Sequence, residues 1–211
     1  MKQPRIHISW FIFADIIVAT ITWLSFYYLR TVIYDYAFTV PPGFYVGLFL
    51  YTTGWLTLHF MSGAYSDIYH KSGFTELART TIVSIIGCLA LLFFFILKNP
   101  QSNNMIYYLE FFSLLIPVFI CTLIVRLIFL KIIRNQLRNK KVSFNVLLVG
   151  SGSKAIELLN TFNKINAVKG YLITAFINTN GATDYEVDDR IKKYTGIDHI
   201  SSIIKEEKTE E

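Results

Sequence analysis

Residues 105–155 read MIYYLEFFSLLIPVFICTLIVRLIFLKIIRNQLRNKKVSFNVLLVGSGSKA, and two changes of character within them decide the fold. Met105–Leu130 is an apolar run of membrane length. Lys131–Lys141 is basic, and Asn145–Val149 is a short apolar strand that opens into Gly150-Ser151-Gly152. A span, a basic stretch and a strand with a glycine turn, in that order, predict a helix that leaves a bilayer and feeds an α/β domain.

Three more apolar runs precede this stretch, at Ile8–Leu29, Phe44–Ala64 and Thr80–Leu97, and the last two contain no Asp, Glu, Lys or Arg. At 1.5 Å per residue, about 20 residues cross a hydrocarbon core of about 30 Å. A chain of 211 residues that is 53% hydrophobic, with mean hydropathy +0.44, has no room to hide four such runs in a soluble core. The first run is read as an anchor, because it holds Asp15 and places Phe26, Tyr27 and Tyr28 where a signal peptide needs small residues.

Lys and Arg orient the spans. With the N-terminus in the cytoplasm, nine of them fall inside (Lys2, Arg5, Lys71, Arg79, Lys131, Arg134, Arg138, Lys140 and Lys141) and two outside (Arg30 and Lys98). The same bias explains most of the net charge of +5, so nucleic acid is not an expected partner. The lipid bilayer is, with the basic cluster after the fourth span at its anionic surface. Cys88 and Cys121 lie in apolar runs, with neither metal nor redox spacing.

The inner segment Tyr65–Thr81 is polar and aromatic, and reads as a loop. Its Tyr65, Ile68, Tyr69 and Phe74 suit the headgroup layer, and Lys71 and Arg79 suit lipid phosphates. Pro117 is expected to kink the fourth span. Beyond a basic juxtamembrane linker at 132–144, the pattern continues with a helix over Lys154–Phe162, a second strand over Tyr171–Ile177 and a last helix carrying Ile200, Ile203 and Ile204. The expected fold is an α-helical membrane bundle of four transmembrane helices, within residues 1–131, followed by an incomplete α/β, Rossmann-like domain over 145–211. The third strand is expected beyond Glu211, as in a truncated domain.

Two sets of residues could carry function. Asp15 and Arg126 are charges inside spans, each costly unless paired. Counted from the cytoplasmic side their depths match, and an interhelical ion pair is expected, with Arg126 reaching a lipid phosphate as the alternative. Glu110, toward the outer end of the fourth span, is expected at the interface. The glycine turn offers Gly150 for the bend, and Gly152, with Ser151, for close backbone approach to a phosphate at a helix N-terminus. Asn178 stands where an acidic residue would hold a ribose diol, so a nucleotide ligand stays open beside a purely structural turn. No His, Cys, Asp and Glu constellation has catalytic or metal spacing.

Four spans, the phrase SGAYSDIYHKSGFTELART, the basic run RNQLRNKKVSF, and NVLLVGSGSKAIELL with GYLITAFIN resemble the N-terminal half of bacterial polyprenyl glycosylphosphotransferases. These initiate exopolysaccharide and capsule synthesis. The resemblance covers roughly residues 8–205. It implies transfer of a hexose-1-phosphate from a UDP-sugar to undecaprenyl phosphate by a C-terminal, Mg²⁺-requiring catalytic module that is not recognisable in this chain. It implies a non-catalytic role for the four spans and the CoA-binding-like middle domain, no cofactor in this chain, and a place in the bacterial cytoplasmic membrane with both ends inside. Asp15 and Arg126 match charges that the family carries in its first and fourth spans. Membrane-bound nucleotide-sugar 4,6-dehydratases share this front end and form the alternative, followed by a non-enzymatic scaffold or sensor. Homo-oligomerisation stays open.

Overall fold

The computed structural model describes residues 5–98, 100, 103–139, 141–150, 157, 161, 170–179, 191–195 and 200–206. The described chain is mostly helical: α1 (Ile8–Tyr34), α2 (Phe44–Met61), α3 (Gly73–Lys98), α4 (Asn104–Arg138), then β1 (Phe144–Gly150), β2 (Tyr171–Asn178), β3 (Lys192–Thr195) and α5 (Ile200–Glu206). It divides into two compact units, Ile6–Lys131 and Ile132–Glu211 with Met1–Arg5.

In the first unit α1, α3 and α4, of 27, 26 and 35 residues, are long and apolar enough to cross a membrane, which marks the chain as a membrane protein. Only 28–33% of their most apolar stretches is buried within protein, and the rest is an Ile, Leu and Phe surface suited to lipid. α2 has 18 residues and no Asp, Glu, Lys or Arg, but it is not among the three helices that by length and composition could cross a membrane.

Local chemistry places the helix ends. His7 Nδ1 accepts from the Ser9 N–H at 3.2 Å to cap α1, which ends at Asp35 in the left-handed region. Gly43, at φ 86°, supplies the turn into α2 that a side chain would resist. The core joins large rings to small partners: Trp23, Phe26, Phe44, Tyr51 and Trp55 pack with Ala19, Cys88, Leu114 and Val118. Trp23 lies on Gly47 and Trp55 on Gly87, where an added Cβ would run into the indole. Thr22 and Tyr51 hydroxyls join α1 to α2 at 2.9 Å.

Helix boundaries differ most from the sequence expectation at the start of α3 and the end of α4. The sequence reads as loop over residues 73–79, yet α3 begins at Gly73. Ser72 caps it, accepting the Thr75 N–H at Oγ (3.1 Å) and the Glu76 N–H at its carbonyl (3.1 Å). Backbone capping needs no apolar side chains, so the hydropathy of the run starts later than the helix. Likewise α4 runs through Pro117 and the first part of the expected linker to Arg138. The helix outlasts its apolar stretch because Lys and Arg are good helix formers.

In the second unit three parallel strands lie in the order β1-β2-β3. The register pairs Phe144 with Tyr171 and Gly150 with Asn178, shifting once between Val146 and Leu147. Phe144, Leu148, Ile173, Ala175, Phe176, Ile177, Ile191 and Ile203 are buried. Gly170, at φ 75°, begins β2 hard against Leu137. β3 corrects the expectation that a third strand lies beyond Glu211. Its sequence KKYT has no apolar alternation, being a short strand that pairs, among the described residues, with β2 alone, where lysines are at home on an edge. Of the expected helix at Lys154–Phe162, only Glu157 and Thr161 lie within the described residues.

Candidate functional site

The structure brings Asp15 and Arg126 together. Arg126 Nη2, on α4, donates to Asp15 Oδ2, on α1, at 2.6 Å, and each side chain is 2% exposed. A second donor reaches the same oxygen: the Tyr65 hydroxyl, just after α2, at 2.7 Å. The guanidinium also lies 5.7 Å from the Phe11 ring centre and 5.6 Å from that of Tyr65. An ion pair out of water is tolerable when such extra partners satisfy it. Tyr65 therefore serves the bundle interior and not the headgroup layer. Burial holds its hydroxyl well above the usual tyrosine range, and the Asp15 carboxylate adds to the effect. His59, on α2, stacks edge-on near Tyr65 at 6.4 Å. His59 Nε2, Arg126 Nη1 and Thr122 Oγ1 are buried and find no hydrogen-bond partner among the described residues.

A second charged group closes the α2–α3 connection. Lys71 Nζ donates to the carbonyls of Gly63 (3.2 Å) and Ala64, and pairs with Glu76 Oε1 at 3.4 Å. Arg79 Nη1 donates to the same Glu76 oxygen at 2.7 Å. Lys71 is thus engaged by protein and does not reach lipid phosphate, as its place in a polar loop suggested. Burial lowers its pKa; Glu76 opposes that shift and Arg79 reinforces it. Glu76 itself is 5% exposed in its side chain, although its sequence surroundings are those of a loop residue.

A third group corrects the placement of Glu110 at the interface. Its side chain is 3% exposed, with Oε1 3.0 Å from Arg30 Nε and accepting the Tyr34 hydroxyl at 3.0 Å. Arg30 lies over the rings of Phe26, Tyr34 and Phe95. Its positive charge and the Tyr34 hydroxyl turn Glu110 inward.

In the sheet unit, Gly150 and Asn178 are register partners at the carboxyl ends of adjacent parallel strands. That is where open α/β sheets place ligands. Asn178 is buried and engaged in interactions of its own. Ser151 and Gly152 lie outside the described residues.

Asp15, Glu76 and Glu110 are each paired with cations and withdrawn from solvent: Asp15 and Glu110 tie α1 to α4, and Glu76 ties the α2–α3 connection to α3. No three His, Cys, Asp or Glu side chains among the described residues stand together as a metal site. No family model matches the chain, and no curated protein or solved structure matches it.

Proposed function

We propose that this chain is the membrane anchor and accessory part of an undecaprenyl-phosphate sugar-1-phosphate transferase that initiates exopolysaccharide or capsule synthesis. In this reading α2 is a fourth span beside α1, α3 and α4. The N-terminus and the sheet unit lie on the cytoplasmic face of a bacterial inner membrane, and the sheet unit is Rossmann-like. The observation that carries the reading is the join between the units. α4 passes from a membrane-length apolar stretch through Lys131, Arg134 and Arg138, and a parallel sheet follows at Phe144. The buried Asp15–Arg126 pair, tying first and last long helices, supports an anchoring role.

Catalysis is assigned to a module outside these residues. In this reading the Mg²⁺ that the reaction uses would neutralise phosphate charge in that module. The sheet's contribution is a docking surface or a nucleotide site around Gly150 and Asn178.

The test is UMP release from radiolabelled UDP-sugars by membranes supplied with undecaprenyl phosphate and Mg²⁺. Membranes carrying this chain alone are compared with membranes carrying its full genomic reading frame. Release from the full frame only is expected. No release with any UDP-sugar, or NAD-dependent conversion of a UDP-sugar to a 4-keto-6-deoxy sugar, would overturn the proposal in favour of a non-transferase or a dehydratase.

A further inference from the structure

A crevice of about 420 Å³ opens between the end of α2 and the first turns of α3. Phe74, Ala78, Ile82 and Val83 form its apolar wall, and Ser62 and Arg79 its polar end. Phe74 and Ile82 are 80% and 58% exposed, so this wall opens outward from the bundle. α3 has 26 residues, about 39 Å, against a hydrocarbon core of about 30 Å. With Lys98 at the far interface, the surplus of about 9 Å lies at the Gly73 end, roughly six residues. Arg79 then sits at the boundary between hydrocarbon and headgroups.

Within the Lys71–Glu76–Arg79 cluster the charge balance is positive. Lys71 and Arg79 share the single Glu76 carboxylate, which leaves a net charge of +1. Lys71 is turned onto backbone carbonyls, whereas Arg79 reaches the crevice with its side chain 22% exposed. A guanidinium has five donors in a fork that matches a phosphate, and Glu76 Oε1 takes one Nη1 bond. A soluble anion would gain nothing from the four apolar residues. A zwitterionic headgroup would bring a second cation to a positive site.

We propose that this crevice binds an anionic phospholipid, with its phosphate on the Arg79 guanidinium and the start of one acyl chain along Phe74, Ala78, Ile82 and Val83. The site needs only that α3 crosses the bilayer, and stands whether or not the chain serves a sugar transferase.

The test is native mass spectrometry of the full chain in a neutral detergent, titrated separately with phosphatidylglycerol, phosphatidylcholine and inorganic phosphate. One phosphatidylglycerol is expected to bind about tenfold more tightly than phosphatidylcholine, without competition from inorganic phosphate. Arg79→Gln is expected to weaken that lipid about tenfold, and Arg79→Lys to keep most of the affinity. Ala78→Phe fills the crevice while keeping every charge, and is expected to lose the lipid too. It decides the matter if circular dichroism shows Arg79→Gln unfolded. Undiminished binding by folded Arg79→Gln or Ala78→Phe would overturn the proposal. So would equal affinity for the two lipids, or displacement by inorganic phosphate.

Discussion

Replacing Arg126 with Met removes the charge but keeps a long apolar side chain against Phe11. Asp15 then loses its 2.6 Å partner and keeps the Tyr65 hydroxyl at 2.7 Å. Breaking a buried pair from one side typically costs 3–5 kcal/mol, and with one donor retained the expected loss is about 3 kcal/mol. The double change Asp15→Asn with Arg126→Met removes both charges, and the new side-chain amide oxygen still accepts from Tyr65. Its expected cost is about 1 kcal/mol, for one net hydrogen bond. The difference of about 2 kcal/mol is a factor of roughly 30 in the folded-to-unfolded ratio. Equilibrium unfolding in mixed micelles, driven by dodecyl sulfate and followed by the fluorescence of the three tryptophans, measures it. If the double variant is as unstable as Arg126→Met or worse, the two charges are not coupled and the reasoning fails.

Gly87→Ala places a methyl group into the Trp55 ring and should cost about 1–3 kcal/mol by overpacking; an unchanged thermal midpoint would contradict the α2–α3 packing. Lys71 is held below its ordinary value of 10.5, first by burial. In the window below 10.5 the folded protein binds fewer protons there than the unfolded chain, so stability should rise with pH through it. Tyr65, raised above 10.0, works in the opposite direction at higher pH, so the slope is best read below that value. Denaturation at a series of pH values should show a flatter slope in Lys71→Met, and identical slopes would remove Lys71 from the account.

Asp15 and Arg126 stand out in the sequence because a charge in a long apolar run has few tolerable surroundings. Tyr65 carries no such mark: tyrosine beside a span is ordinary at a headgroup layer, and only the fold shows its hydroxyl turned inward to Asp15. Glu76 and Glu110 are hidden for another reason. Each lies near a span end, where sequence cannot separate a carboxylate facing water from one turned onto Arg79 or Arg30. The strands β1 and β2 are legible from their apolar runs, FNVLLV and YLITAFI, whereas β3 is not. KKYT is held by backbone pairing with Ala175–Asn178, which leaves no trace in side-chain pattern.

The two ion pairs between α1 and α4 are opposite in sense. α1 presents Asp15 to Arg126 and, about 22 Å further on, Arg30 to Glu110. α4 has nearly the same spacing, about 24 Å between Glu110 and Arg126. Turn α4 end for end and acid would meet acid at one level and base meet base at the other. Slide it by one turn and both pairs open together. The four residues thus work as a polarised key, and α4 can be received beside α1 in one direction and at one depth. A helix inserted the wrong way would be left with four unmatched charges.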